Sequence, residues 1–151
     1  MSDTIDLSVA AARHVLGIAT YEERQAVDAA IQPDGTLAGV GGMMPSIDRA
    51  AWTLLEVHVP AIAHGRLGPE EGLQLVVEEV FRPAGLARKS RSRLGDSHDL
   101  DRLLALQDQY DDMRRYERRT NTPDRRKVQV DALVVSAAMD WVRRNASYLE
   151  L

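Results

Sequence analysis

The sequence predicts an all-α fold: a single-domain bundle of five or six helices over residues 1–151, with a central, broadly apolar C-terminal helix. Two observations indicate this class. Apolar residues recur every three or four positions along much of the chain, as they do on one face of a helix. The alternation of apolar and polar residues that marks a half-buried strand is nearly absent. With 151 residues and 44% of them apolar, the chain is long enough for one packed core.

The first two helices precede residue 33. A short apolar stripe at helical spacing marks the first of them: Val9, Ala12, Leu16 and Ala19. Thr20 then has the character of an N-cap, since Glu23 stands three residues later and can complete a capping box. The segment 33–45 that follows is rich in glycine and lacks the motif of a phosphate-binding loop, which predicts a flexible linker.

A third and a fourth helix follow this linker. Ser46 is placed to cap the third helix, which carries His58 on its apolar face as a core or boundary histidine. Pro60 should kink or end that helix because proline lacks a backbone donor. Pro69 begins the fourth helix, whose apolar stripe continues to Phe81. The acids that mostly fall outside this stripe are expected on a solvated face: Glu70, Glu71, Glu78 and Glu79.

The fifth helix is predicted after a basic loop. The stretch 86–96 shows no helical period and is therefore expected to be that loop. The helix should run from about Ser97 to Arg118. Its apolar residues repeat in the pattern of helices that pack at shallow angles: Leu103, Leu106, Tyr110 and Met113.

The sixth helix carries the widest apolar surface. Thr122-Pro123-Asp124 is typical of a helix start. One apolar set comprises Val130, Leu133, Val134, Ala137 and Trp141, and the other Val128, Val135, Met139 and Val142. Together they span roughly two-thirds of the circumference, so we expect a homo-oligomer through residues 128–142 unless the bundle covers both sides. Asp131 falls inside this arc and should find a cation or a hydrogen-bond donor, for instance an arginine of a neighbouring helix.

Composition excludes several classes of function. The 23 acidic and 19 basic residues give a formal charge of -4, which argues against a surface that binds nucleic acid throughout. The chain contains no cysteine, so disulfides, cysteine-ligated zinc, iron–sulfur clusters and thiol catalysis are excluded. Asp3 and Asp6 stand where a signal peptide would be basic and then apolar, and no segment approaches the ~20 apolar residues of a membrane span. We therefore expect a cytoplasmic protein that does not bind membranes.

Charge is arranged in blocks between residues 82 and 127. Basic segments at 82–94 and 114–127 flank an acidic segment at 96–112. Blocks of one sign typically face a partner of the other sign. The residues expected to contact that partner are Arg88, Lys89, Arg91, Arg93, Arg114, Arg115, Arg118 and Arg119. The favoured function is a non-enzymatic regulatory, adaptor or assembly subunit that binds a protein partner; the alternative is nucleic-acid binding through the two basic segments.

No complete catalytic set is found, so we expect no catalytic residue, no metal site and no cofactor. A third hypothesis, a metal-dependent hydrolase, uses His98 and Asp99. His64, the His98–Asp99 pair and Asp140 resemble, in their order along the chain, the metal ligands of HD phosphohydrolases. The structural alternative places His98 and Asp99 in the first turn of the fifth helix, behind a cap formed by Asp96 or Ser97.

A second resemblance lies near the N-terminus. The segment Ala11–Gly17, followed by Thr20–Ala26, resembles the helix–turn–helix of anti-sigma-factor domains. His14 stands where that pattern usually has tyrosine, and the zinc-binding His/Cys cluster of one subgroup is absent. The resemblance implies a protein-binding regulator, in agreement with the favoured function.

Overall fold

The computed structural model describes residues 5–38, 42–84 and 98–146. Within these ranges the chain forms six helices and one small sheet, which confirms the predicted all-α class. The helices are α1 (Leu7–Val15), α2 (Tyr21–Ala30), α3 (Ile47–Ala63), α4 (Pro69–Leu75), α5 (Asp101–Thr120) and α6 (Lys127–Arg144). The predicted loop at 86–96 lies outside the described residues, and so do four of the predicted contact residues: Arg88, Lys89, Arg91 and Arg93.

Side-chain caps fix where the first three helices begin. Asp6 caps α1 by accepting from the backbone amides of Ser8 (3.0 Å) and Val9 (3.2 Å). Thr20 and Glu23 form the predicted capping box of α2, in which each side chain accepts from the other residue's amide at 3.2 and 3.0 Å. The hydroxyl of Ser46 accepts from the amide of Arg49 at 3.1 Å and caps α3, as predicted.

A short hairpin lies within the predicted linker at 33–45. Strands β1 (Thr36–Leu37) and β2 (Gly42–Met43) pair antiparallel, with Thr36 opposite Met43 and Leu37 opposite Gly42. The prediction of a linker did not include this pairing, because strands of two residues are too short to show a strand period. Leu37 is buried, so the hairpin is anchored to the helices.

Helix α3 continues through Pro60, which the sequence predicted would kink or end it. The proline lies near the end of α3, and the helix runs on to Ala63 before His64 forms the C-cap. The lost backbone hydrogen bond is offset by burial, since Val59 and Ile62 are fully inaccessible to solvent. Helix α4 packs close to this end of α3. A side chain at Gly72 would place its Cβ 2.4 Å from the side chain of Ile62, so the close approach requires glycine.

Helix α4 changes its winding without interruption. Residues Val76–Phe81 continue from α4 as a π-helical segment, here called the π segment. Leu73, Val76 and Val80 are fully buried against α3, as the predicted stripe required. The wider turn of a π-helix departs from the 100° per residue of an α-helix. An α-helical projection is therefore less accurate for polar side chains of this segment than for its buried stripe.

The boundaries of α5 and α6 differ from the predicted ones. Helix α5 starts at Asp101 and extends to Thr120, where Asn121 ends it in the left-handed conformation with φ 53°. Helix α6 starts at Lys127, three residues after the predicted start signal ends. The carboxylate of Asp124 accepts from the amide of Arg126 at 2.9 Å, so it stabilises a turn before the helix rather than the helix start.

The main core lies between α3, α4 and its π segment, α5 and α6. Helix α6 contacts α3, α4 and α5, and its buried face includes Val130, Val134 and the fully buried Trp141. The four predicted core residues of α5 are also buried: Leu103, Leu106, Tyr110 and Met113. The prediction that Leu133 is buried was wrong, since it is 42% exposed at the edge of the buried face.

A second, smaller core lies on the other side of α1. It consists of Ala10, Ala11, Val27 and Leu37, contributed by α1, α2 and the hairpin. Other α1 residues, among them Ala12, belong to the main core. Helix α1 therefore separates the two cores and contributes to both.

Candidate interaction surface

The turn between α5 and α6 exposes three arginines, which we call the basic corner. Arg118 and Arg119 lie in the last turn of α5, and Arg125 lies just before α6. All three are exposed, and within the described ranges none of them forms an ion pair. Positive side chains at the carboxyl end of a helix are favoured by its dipole, which stabilises the charges of Arg118 and Arg119 without a carboxylate partner.

The neighbouring arginines are already paired. Arg114 contacts Glu70 at 3.3 Å and Asp111 at 3.1 Å, and Arg115 contacts Asp112 at 3.7 Å. The structure describes four of the predicted contact residues. Arg114 and Arg115 are ion-paired, whereas Arg118 and Arg119 form no ion pair within the described ranges. Exposed ion pairs are weak, but a binding partner would have to break those of Arg114 and Arg115 before its own carboxylates could pair with these arginines.

Arg126 is paired as well, with a neighbour two residues away. Its guanidinium lies 2.7 Å from the carboxylate of Asp124 and 3.8 Å from that of Asp112. The hydrogen bond from Arg126 lowers the pKa of Asp124, and the same bond raises the pKa of Arg126. Arg126 therefore supports the turn, whereas Arg125 beside it is turned to solvent.

An open groove of about 750 Å³ runs along the solvent face of α5 next to the basic corner. It is lined by Asp111, Arg114, Arg115, Glu117 and Arg118. The lining thus combines two carboxylates with three guanidinium groups, all from α5. A groove of mixed charge is suited to a protein segment whose acidic residues are spaced apart to meet the arginines, and less suited to a uniformly anionic phosphate backbone.

Helix α6 presents a second exposed feature, which we call the α6 stripe: Val128, Ala132, Val135 and Met139. Val128 is 78% exposed and Met139 is 56% exposed, while Ala132 is exposed and Val135 is half-buried. The stripe lies beside the predicted polar residues and on the side of α6 opposite the buried Val134 and Trp141. Apolar side chains lined up at helical spacing on a solvent face are typical of a contact surface.

Asp131, beside the α6 stripe, finds the kind of partner that the sequence predicted. The hydroxyl of Tyr110 donates to its carboxylate at 2.5 Å, and the ammonium of Lys127 lies 3.0 Å away. The partners are thus a tyrosine of α5 and a lysine of α6 itself rather than an arginine. Burial, together with the hydrogen bond to Asp131, raises the pKa of Tyr110, so this contact holds the tyrosine as a neutral donor.

A partly buried polar network joins α1, α2, α3 and the π segment, and we call it the Arg13 network. Arg13 contacts Glu23 at 3.1 Å and Glu79 at 3.2 Å. Glu79 also accepts from the ring of His58 at 3.3 Å. Two carboxylates that would repel one another are therefore held by a shared guanidinium. The arrangement fixes these helices to each other.

The sequence prediction for Glu79 was wrong, since this residue faces the Arg13 network rather than solvent. Glu70 likewise pairs with Arg114. The prediction for His58 as a core or boundary residue is confirmed, because the side chain is buried. The Arg13 network could not be predicted from the sequence for two reasons. Its members lie far apart in sequence, and Glu79 belongs to the π segment, where an α-helical projection is inaccurate.

The free energy of unfolding should depend on whether Glu79 is ionised, and lowering the pH tests this. The hydrogen bond from His58, and the charge of Arg13, lower the pKa of Glu79 below its ordinary value of 4.5. A carboxylate whose folded pKa is lowered stabilises the fold above its unfolded pKa and loses this contribution as pH falls through the folded pKa. Urea unfolding between pH 7 and pH 3 should therefore show a smaller acid-induced loss for Glu79→Gln than for the wild type. Glu78→Gln, at an exposed neighbour, is the control and should follow the wild type; parallel curves for all three would contradict the assignment.

His98 and Asp99 precede α5 instead of lying in its first turn, so that prediction was wrong. A ring nitrogen of the buried His98 lies 3.0 Å from the carboxylate of Asp48 on α3. Asp99 adopts φ 57° and contacts Arg144 at 3.0 Å and Asn145 at 3.1 Å, at the end of α6. The two side chains thus turn to different elements. The proposed caps, Asp96 and Ser97, lie outside the described residues.

The other two residues of the suggested metal site, Asp140 and His64, have structural roles elsewhere in the fold. Asp140 contacts Arg143 at 2.6 Å and Arg102 at 3.4 Å. His64 is the C-cap of α3. In the part of the chain that the structure describes, no three histidine, aspartate or glutamate side chains are grouped so that they could hold a metal ion.

Comparison with known proteins found no match. No protein-family model, curated protein or solved structure matches the chain. Among the described residues, no helix combines the length and the apolar character that crossing a membrane requires. The chemistry of the surface is therefore the basis for a functional proposal.

Proposed function

We propose that this protein is a non-enzymatic interaction protein that binds an acidic segment of a protein partner at the basic corner. One observation carries the proposal: Arg118, Arg119 and Arg125 form no ion pair within the described ranges, while Arg114 and Arg126 beside them do. Unpaired surface arginines supply charge-assisted hydrogen bonds to carboxylates without breaking existing ones. The groove next to them gives the segment a path along α5.

Two observations favour a protein over a nucleic acid. Asp111 and Glu117 line the groove among the arginines, and their charges would repel phosphates. Base stacking needs accessible aromatic rings; Tyr110 is fully buried, so of the two tyrosines in α5 only Tyr116, at 37% exposure, could stack on a base. These features support a protein partner as the first candidate.

The proposal can be tested with two probes, a fluorescent peptide rich in glutamate and leucine and a fluorescent oligonucleotide, single- or double-stranded. We expect the peptide to bind more tightly than either oligonucleotide, with an affinity that falls as salt is raised. Replacing the three corner arginines together by alanine should weaken peptide binding about tenfold, since each exposed charge contributes ~0.2–1 kcal/mol. Fluorescence anisotropy at low salt measures both effects.

A matched control is available on the same chain. Arg102→Ala/Arg143→Ala removes two arginines that are paired with Asp140 and lie outside the groove, and it should change peptide binding much less. Tighter binding of an oligonucleotide, weakened by the triple replacement, would instead favour the nucleic-acid alternative. Equal binding of the peptide by the wild type and the triple variant would remove the basic corner as the docking site.

A further inference from the structure

We infer that the α6 stripe docks a second copy of this chain, with the two α6 helices antiparallel about a two-fold axis. The stripe consists of Val128, Ala132, Val135 and Met139, whose spacing alternates between four and three residues. This is the spacing of the two core positions of a heptad repeat, and helices that carry it pack side by side at shallow angles. A helical partner therefore fits the shape of the stripe.

The order of the side chains suits another copy as that partner. Ala132 and Val135 are equidistant from a point midway between residues 133 and 134, and so are Val128 and Met139. A two-fold axis through that point superposes the stripe on itself. Val128 then faces Met139 of the second copy, and Ala132 faces its Val135. Such a self-complementary contact is the isologous arrangement of two-fold dimers.

Charges along the margins of the stripe do not oppose this pairing. The residues that border one margin near its centre, Gln129 and Ser136, are uncharged. On the other margin the carboxylate of Asp131 is already bound by Lys127 at 3.0 Å and by Tyr110. Because neither margin offers an unpaired charge near the two-fold axis, the surface is suited to its own copy rather than to a strongly charged helix.

The contact should be weak and concentration-dependent. Four side chains cover less area than the ~800 Å² per partner of a standard interface. The α6 stripe and the basic corner share no residue, so dimerisation does not rest on the proposed function and can be tested separately.

Disulfide formation can test the geometry cleanly, because the chain contains no cysteine. We expect an equimolar mixture of Val128→Cys and Met139→Cys proteins to form a disulfide-linked dimer under mild oxidation, in greater yield than either protein alone. Asp28→Cys, at an exposed position of α2, is the control for random collisions and should form little. Efficient linkage of Val128→Cys to itself would show a parallel pair and overturn the antiparallel arrangement.

Sedimentation tests the association itself without oxidation. The wild type should shift from monomer towards dimer as concentration rises into the high micromolar range, and Met139→Glu should remain monomeric. Since Met139 is more than half exposed, that variant should keep the wild-type circular dichroism spectrum and still bind the acidic peptide. A wild type that stays monomeric throughout and shows no selective disulfide would overturn the inference; loss of peptide binding alone would count against the proposed function instead.

Discussion

Replacing Trp141 by alanine should lower the free energy of unfolding by about 3–5 kcal/mol, the largest effect we expect from a single substitution. Trp141 is fully buried near the end of α6, a helix that packs against α3. Its ring lies 5.9 Å from that of Trp52, and its indole nitrogen donates to the backbone carbonyl of His98 at 3.0 Å. The variant would lose the packing of a large aromatic ring and leave a buried carbonyl without its donor.

Urea or guanidinium unfolding measures this loss, provided that the variant is still folded at low denaturant. Trp52→Ala is the matched control: the same truncation at a half-buried ring should cost clearly less. If the variant does not fold, Trp141→Phe gives a smaller and measurable loss. A loss below about 1 kcal/mol for Trp141→Ala would show that this residue does not organise the core.

Removing the charge of Arg13 should have the second largest effect. In Arg13→Met the side chain keeps much of its length, but Glu23 and Glu79 lose the guanidinium that they share. Breaking a fully buried ion pair costs ~3–5 kcal/mol. Because Arg13 remains 26% exposed, we expect a smaller loss of about 2–3 kcal/mol, measured by denaturant unfolding at neutral pH.

Two further variants isolate the electrostatic cause. Arg24→Met removes an exposed arginine of α2, and its effect should stay within about 0.5 kcal/mol. Adding Glu79→Gln to Arg13→Met should recover part of the lost stability, because one of the two unpaired carboxylates becomes neutral. If the double variant is as unstable as the sum of the two single variants, the coupling between Arg13 and Glu79 is absent.

Local signals predicted most of the fold. The Thr20–Glu23 capping box and the Ser46 cap are formed by residues three positions apart, so they can be recognised without knowing the rest of the structure. The apolar seam of α5 is likewise a property of one helix. Pro60 was misjudged because burial of the residues around it, which depends on other helices, outweighs the missing donor.

The candidate surface was predictable only in part. The basic segment that contains Arg118 and Arg119 is visible in the sequence, and the structure confirms that these two side chains are exposed. The sequence could not separate them from Arg114, since its partner Glu70 lies on another helix. The Arg13 network was not predicted for the same reason, because its contacts join four elements and correspond to no short sequence motif.

The position of α1 between two cores has a consequence for how the chain opens. Among the described residues the smaller core holds four buried side chains, so we expect the free energy that keeps α2 and the hairpin in place to be small beside that of the main core. Transient opening of that part can proceed while α3 and α6 stay folded. Backbone amides of α2 then exchange with solvent through this partial opening, whereas amides in the middle of α3 exchange only when the whole molecule unfolds.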